Sequence, residues 1–211
     1  MKNISKSSLA ILLSRLKTFE TPSLKAEQYT TDSEIAATAL WDAYMKGCIK
    51  GKTIADLGCG TGTLGIGCLI LGAGKVYFID NDSAALESAK ENLSFAEKLV
   101  KTRLSAKAEL LHKDIADFHT PVDLVVQNPP FGTRNKGADL AFLMKAMGLS
   151  PLIYSFHKAS TLDYLQKYVA RQGFSVVQAM KFTYPLSQTM RFHRKRIERI
   201  EVVCLHIVKR R

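Results

Sequence analysis

The chain has 211 residues, of which 46% are hydrophobic and 23% charged, and its formal net charge is +11. This length fits one domain with a sizeable core, and no run approaches the roughly eighteen apolar residues that a membrane span requires. The four cysteines form no C-x-x-C pair. They therefore predict free thiols in a reducing cytoplasm and no metal site.

Helices and strands alternate along most of the chain. Helices are predicted near residues 5–17, 33–46, 63–72, 83–98, 138–147 and 160–171. Strands are predicted near residues 53–57, 75–80, 108–113, 122–127, 151–156, 174–183 and 199–208. This order predicts an α/β fold with a mostly parallel seven-stranded sheet and helices on both faces. The last two strands have no helix between them and predict an antiparallel pair.

A glycine-rich segment, Gly58-Cys59-Gly60-Thr61-Gly62, joins the first strand to the helix that begins near Thr63. Glycines at such a junction allow backbone N–H groups to approach a ligand closely at the helix N-terminus. The third glycine comes one residue earlier than in the dinucleotide pattern G-x-G-x-x-G, and Asp56 precedes the first glycine by two residues. This spacing argues against a pyrophosphate site and favours a ligand with an amino acid end and a cationic centre.

Acidic residues end the next two strands. Asp80 lies twenty residues after Gly60, where a carboxylate can accept hydrogen bonds from both hydroxyls of a ribose. Asp82 is an alternative acceptor, or the N-cap residue of the following helix. Asp114 follows the third strand and can accept a hydrogen bond from the amino group of an adenine, although a carboxylate there is also an ordinary loop feature.

The fourth strand ends in Asn128-Pro129-Pro130-Phe131. Proline fixes φ and removes a backbone donor, so the strand ladder must stop there. The segment then offers free carbonyls, an amide side chain and a flat ring, which suit a planar group that carries an amino function. The alternative interpretation is a strand-ending turn with Phe131 in the core.

The positive charge lies mainly near the carboxyl terminus. Residues 151–211 contain twelve Lys or Arg and three Asp or Glu, a net charge of +9 out of the total +11. Within 191–199, basic residues alternate with Phe192 and His193. This pattern favours contact with a phosphate backbone and unstacked bases, and the alternative is a solvated basic loop between the last two strands.

Together these motifs, over roughly residues 50–157, resemble the Rossmann-like class I methyltransferases that use S-adenosylmethionine. Asn128-Pro129-Pro130-Phe131 resembles the [DNS]-P-P-[FYW] signature of methyltransferases that modify adenine N6, cytosine N4 or a glutamine amide. The flanking segments Glu27-Gln28-Tyr29-Thr30-Thr31, Tyr154-Ser155-Phe156-His157-Lys158 and Phe192-His193-Arg194-Lys195 extend the likeness. From about residue 12 to 208 the chain resembles the methyltransferase-like protein five family and its archaeal relatives, which methylate adenine N6 in small-subunit ribosomal RNA.

The resemblance implies three groups of site residues within one methyltransferase domain. Residues 1–50 would form a helical part over the cofactor, and 184–199 a basic loop facing RNA. Catalysis is expected from Asn128, Pro129, Pro130 and Phe131. S-adenosylmethionine binding is expected from Gln28, Thr31, Asp56, Gly58, Gly60, Thr61, Thr63, Asp80, Asp114 and Ile115. RNA contact is expected from Lys136, His157, Lys158, Arg191, Phe192, His193, Arg194, Lys195 and Arg196.

The resemblance also implies a partner, a small zinc-binding activator of the Trm112 type that adds a strand to an edge of the sheet. Lys75–Asp80 and Ala108–Lys113 are the two candidate edges. Three alternative functions stay open: glutamine methylation of a translation release factor, RNA binding without catalysis in ribosome assembly, and adenine methylation of DNA. The intact acids and Asn128 disfavour the second, and the chain offers little room for the target-recognition region that the third requires.

Overall fold

The computed structural model describes residues 4–18, 31–130, 137–185 and 199–210. The helices are α1 (Lys6–Ser14), α2 (Ser33–Met45), α3 (Thr63–Ile70), α4 (Ser83–Val100), α5 (Ala138–Leu149) and α6 (Leu162–Arg171). The strands are β1 (Thr53–Leu57), β2 (Lys75–Asp80), β3 (Ala108–His112), β4 (Leu124–Gln127), β5 (Leu152–Lys158), β6 (Phe174–Pro185) and β7 (Arg199–Lys209). None of these described helices has the length and apolar character needed to cross a membrane.

All seven strands form one sheet in the order β3-β2-β1-β4-β5-β7-β6. The first five run parallel, and β7 runs antiparallel to both β5 and β6. The predicted mostly parallel sheet with an antiparallel carboxyl-terminal strand is thus confirmed. Because the chain builds outward from β1 to β3 and then returns to β4, the strand order reverses between β1 and β4. Ligands of open α/β sheets bind at the carboxyl ends of the strands at such a point.

Each face of the sheet has its own apolar core. Successive strand residues point to opposite faces, so Ile54 and Val126 pack on the side of α1–α4. Ala55 and Val125 pack on the other side, against α5 and α6. The central strand β4 contributes to both cores, since every one of its residues is buried, as expected for a parallel strand that is covered on both faces.

Aspartate side chains cap two of the helices. The Asp32 carboxylate accepts from the N–H groups of Glu34 and Ile35 at the start of α2. Asp82 accepts from Ala84 N at 2.9 Å at the start of α4. The structure therefore supports the N-cap interpretation of Asp82, because its carboxylate satisfies backbone donors that the helix leaves unpaired.

The two edges of the sheet, among the described residues, are β3 and β6. The expectation that Lys75–Asp80 forms an edge is wrong, because β2 pairs with β1 on one side and β3 on the other. The alternative edge, Ala108–Lys113, agrees with the position of β3. The strand order, which decides this, depends on contacts between residues that are distant in the sequence.

The four cysteines are free thiols, as predicted. Cys59, Cys68 and Cys204 are buried, and Cys48 is partly exposed. Burial raises the pKa of the Cys68 thiol well above its ordinary value, so this side chain acts as a small apolar group in the core.

Close packing of α3 on β2 leads to a stability prediction. A Cβ atom at Gly65 would lie 2.3 Å from Cε1 of Phe78, whereas a Cβ at Gly148 in α5 would have no atom within 4 Å. We expect Gly65→Ala to lower the free energy of unfolding by about 1–3 kcal/mol through overpacking. The matched Gly148→Ala change should raise it by about 0.5–1 kcal/mol, because alanine favours helix. Denaturant unfolding measures both, and equal effects would contradict this packing.

Candidate active site

The glycine-rich segment turns sharply at the carboxyl end of β1. Gly58 has φ 63°, Gly60 φ 53° and Gly62 φ 85°, all in the left-handed region that side chains disfavour. Space is also limited, since a Cβ at Gly58 would lie 2.8 Å from Cε1 of Phe142 in α5. The backbone therefore passes directly beneath the Phe142 ring, and this approach requires glycine.

Asp80 links the end of β2 to the glycine segment. Its Oδ2 accepts a hydrogen bond from Gly60 N at 2.7 Å, and its Oδ1 accepts from Asp82 N at 2.9 Å. Burial raises the pKa of Asp80, and these backbone donors oppose the rise. A carboxylate oxygen has more than one lone-pair site. The Asp80 oxygens thus keep acceptor capacity for the ribose hydroxyls that the sequence assigns to them.

Asp56 holds the start of α3. The side chain is 1% exposed, and its Oδ2 accepts from Gly65 N at 2.8 Å. Gly65 is the third residue of the helix, where backbone N–H groups have no partner within the helix. Burial, with a smaller effect from Asp80, raises the pKa of Asp56 to about 7. The structure gives Asp56 a positioning role, and contact with a cofactor stays a prediction.

Asn92 on α4 supports the same segment and was missed from the sequence. Its Nδ2 donates to the carbonyls of Thr61 and Lys17, each at 2.9 Å, and its Oδ1 accepts from Lys17 N at 2.7 Å. Asn92 is 1% exposed, and Thr61 and Thr63 are also buried. A polar residue on the apolar face of α4, formed by Ala85, Leu86, Ala89, Leu93 and Ala96, is the signal that could have identified it.

Asp114 follows β3 at the same end of the sheet. Its Oδ1 accepts from Ala116 N at 2.8 Å and so caps the short 3-10 helix Ile115–Asp117. Asp114 is exposed and Ile115 partly buried. Both residues follow β3, which pairs with β2, and the last residue of β2 is Asp80. If Asp80 binds the ribose, the amino group of the attached adenine would meet the Asp114 carboxylate.

Asn128 presents an unpaired acceptor at the carboxyl end of β4. Its Nδ2 donates to Oγ1 of Thr31 at 2.9 Å, and Thr31 is itself only 8% exposed. Its Oδ1 is buried and has no hydrogen-bond partner among the described residues. Leaving a buried carbonyl unsatisfied costs about 1–3 kcal/mol. The amide therefore presents a buried acceptor, unpaired among the described residues, beside the buried ring of Pro129, and its use by a ligand N–H stays a prediction.

His157 does not face solvent. It is 1% exposed on β5, its Nε2 lies 2.7 Å from Oγ of Ser155, and its Nδ1 lies 3.9 Å from Oδ2 of Asp139 in α5. The expected RNA contact of His157 is wrong, because α5 and the sheet bury the imidazole. Lys158 is partly buried, and its RNA contact stays a prediction.

Several predicted site residues lie outside the described residues. They are Gln28, Phe131, Lys136, Arg191, Phe192, His193, Arg194, Lys195 and Arg196. The strands that flank residues 186–198 are described. Lys158 ends β5 and pairs with Val202, so β7 begins, and β6 ends at Pro185, beyond the carboxyl end of β5, the end of the sheet that carries Asn128.

The fold and site define the chain as a Rossmann-like methyltransferase. The glycine segment, Asp80 at the end of β2 and Asn128 lie around the point between β1 and β4 where the strand order reverses. The model of the methyltransferase small domain matches residues 30–147. A relative in Methanocaldococcus jannaschii, without assigned function, is 35% identical over 98% of this chain and 95% of its own. The rRNA N(6)-adenosine-methyltransferase METTL5 of Danio rerio is 32% identical over 90% of this chain and 92% of its own.

A solved structure from Pyrococcus horikoshii, a candidate RNA methyltransferase, superposes with a TM-score of 0.89 at 37% identity. The match covers 99% of this chain and all of that one. The chain therefore belongs to the methyltransferase small-domain family, in the group that includes the METTL5 enzymes. It is an S-adenosylmethionine-dependent methyltransferase.

The residues present suit this cofactor. The three left-handed glycines bring backbone close to the switch point, and Asp80 offers acceptors for a ribose. The cofactor residues Thr31, Gly58, Gly60, Thr61, Thr63, Asp80, Asp114 and Ile115 remain assigned to it as predictions.

Proposed function

We propose that the protein methylates the N6 atom of a flipped-out adenine in small-subunit ribosomal RNA. The observation that carries this proposal is Oδ1 of Asn128, which is buried beside Pro129 at the carboxyl end of β4 and has no hydrogen-bond partner in the part of the chain that the structure describes. Relatives named as rRNA N6-adenosine methyltransferases, at 32–33% identity over 87–94% of this chain, support the choice of adenine in ribosomal RNA.

Asn128 fits the chemistry of an aromatic amine. The lone pair of adenine N6 is delocalised into the ring, so the nitrogen is a weak nucleophile until it becomes more tetrahedral. Hydrogen bonds from its two N–H groups to Oδ1 of Asn128 and the Pro129 carbonyl would orient it and favour that change. The Thr31 hydroxyl holds the amide with Oδ1 free for this role.

Positioning supplies most of the remaining catalysis. The glycine segment and Asp80 would hold S-adenosylmethionine, which would supply an activated methyl group to N6 and leave as the neutral thioether. Methylation makes the nitrogen acidic, so its proton leaves to water and no strong general base is needed. In-line placement of the reacting atoms is the main requirement. Asp80 and Asn128 lie at the carboxyl ends of β2 and β4, the two strands that flank β1.

The distribution of charge favours RNA over a protein substrate. The +9 of residues 151–211 includes the basic residues of 186–198, which lie between β6 and β7 in the sequence. Cations there would neutralise phosphates near the site. Phe131 would stack on the extruded base, and an unpaired adenine would cost less to extrude. Free, buried thiols suit a cytoplasmic location.

Product identification tests this function. Labelled S-adenosylmethionine is incubated with the protein and either small-subunit rRNA, DNA or a release factor, and the modified residue is identified after digestion. We expect label in N6-methyladenosine from rRNA. Asn128→Ala should reduce turnover at least about a hundredfold, with cofactor affinity within about twofold. Label in glutamine would establish the alternative activity, and no labelled adenine in any nucleic acid would contradict the proposal.

We further propose that a small zinc-binding activator of the Trm112 type pairs with β3. This strand is an edge whose backbone groups are available for strand addition, among the described residues. Both charged and aromatic side chains lie near this edge: Lys75 forms an ion pair with Glu109 at 2.8 Å, and Tyr77 packs on Phe118.

Hydrogen exchange tests the activator interface. Adding the activator should slow amide exchange in Ala108–His112 at least about tenfold, because new backbone hydrogen bonds protect the edge. The other edge strand, Phe174–Pro185, serves as the internal control and should be unchanged. Protection of β6 alone, or of neither strand, would contradict this interface.

A further inference from the structure

A row of polar side chains crosses the otherwise apolar face of the sheet beneath α5. Gln127 in β4 donates from Nε2 to Oγ of Ser155 in β5 at 2.9 Å. Ser155 lies 2.7 Å from Nε2 of His157, and His157 Nδ1 lies 3.9 Å from Oδ2 of Asp139. The first three residues are at most 1% exposed. We call these four residues, Gln127, Ser155, His157 and Asp139, the buried polar row.

The hydrogen bond from Gln127 Nε2 to Ser155 Oγ has a defined direction, whereas the direction of the Ser155–His157 hydrogen bond depends on the imidazole tautomer. We infer that the Ser155 hydrogen is donated to His157 Nε2. The imidazole proton is then on Nδ1, which faces the Asp139 carboxylate. The 3.9 Å separation exceeds a hydrogen bond and makes this last contact an electrostatic one. Burial lowers the pKa of His157, and the His157 side chain lowers the pKa of Asp139, so the row holds a neutral imidazole beside a carboxylate.

Both ends of the row adjoin the active site. Gln127 immediately precedes Asn128, whose Oδ1 is the proposed acceptor. Asp139 lies in the first turn of α5, and Phe142, three residues later, covers Gly58. The row therefore fixes the positions of β4, which precedes residues 131–136, and of α5, which follows them, relative to β5. Because Phe142 of α5 covers Gly58, the row is also connected to the glycine segment.

An apolar row would have sufficed for stability alone. The neighbours on this face are apolar, namely Val125, Ile153, Val203 and Leu205. Burying polar groups costs free energy unless their partners are well placed, and partly satisfied networks are costly. Here Gln127 Oε1 and His157 Nδ1 have no hydrogen-bond partner among the described residues. What the polar row provides over an apolar one is a directional connection between β4, β5 and α5.

We propose that Ser155 and His157 are positioning residues for methyl transfer, which hold the Gln127–Asn128 end of β4 in register with the first turn of α5. This inference rests on the proposed function, because it assumes that Asn128 orients the target amine. Neither side chain touches the substrate or the cofactor. Their effect is to keep the Asn128 acceptor in line with the methyl group.

The test compares matched variants in steady-state methylation of rRNA. Ser155→Ala and His157→Leu should each lower kcat about tenfold, since small misplacements of reacting groups have effects of this size, while affinity for S-adenosylmethionine stays within about twofold. His157→Gln keeps a neutral polar group beside Ser155 and should retain at least about a third of wild-type kcat. Ser150→Ala is the control, because Ser150 is also buried but lies at the opposite end of β5.

Other results would overturn the inference. Wild-type kcat in Ser155→Ala and His157→Leu would show that the row does not position Asn128. A loss of kcat in Ser150→Ala equal to that in Ser155→Ala and His157→Leu would show a general packing effect. A loss of cofactor affinity that accompanies the loss of kcat would show the same.

A measurement on the wild-type protein keeps the inference separate from folding and from the proposed function. Nitrogen-15 NMR of the wild-type imidazoles, with His157 assigned by through-bond correlation to its own backbone, should show the Nδ1–H tautomer for this ring. An Nε2–H tautomer or a solvent-exchanging imidazolium would contradict the inferred hydrogen bonds of the buried polar row, even if the variants fail to fold. If the wild type methylates no adenine while the tautomer is Nδ1–H, the proposed function fails and the arrangement of the row stands.

Discussion

The candidate active site is organised around one amide that a distant part of the chain contacts. Asn128 Nδ2 donates to Thr31 Oγ1, 97 residues earlier, and Oδ1 is buried with no hydrogen-bond partner among the described residues. The two prolines that follow prevent β4 from continuing, so the amide stands at the end of a fully buried strand. An unpaired acceptor in this position is stabilised when an amine donates to it, which connects the fold directly to the proposed chemistry.

The cofactor side of the site is built from backbone segments that neighbouring side chains hold in place. Asp80 fixes Gly60, Asp56 fixes the start of α3, and Asn92 fixes Thr61. Each of these polar groups replaces water at a backbone donor or acceptor that would otherwise be buried unsatisfied. The glycines permit the sharp turn, and the polar side chains give it a single conformation before a ligand arrives.

The sequence predicted the helices and strands well because their apolar patterns are local. It also placed Asp80 and Asn128 at strand ends, where parallel strands bring them together. It did not distinguish β2 from β3 as an edge, because strand order depends on pairing between distant segments. Asn92 binds Lys17 across 75 residues, and that contact is absent from any local pattern. The RNA contact of His157 was expected from the family resemblance, whereas the imidazole is buried between α5 and the sheet.

A structure of the protein with a bisubstrate analogue, in which the cofactor is joined to N6 of adenosine, would show where the target amine lies relative to Asn128. We expect Asn128 Oδ1 to lie about 3 Å from that nitrogen, with Nδ2 still donating to Thr31. An analogue nitrogen that faces Nδ2, or that lies beyond hydrogen-bonding distance of Asn128, would contradict this expectation.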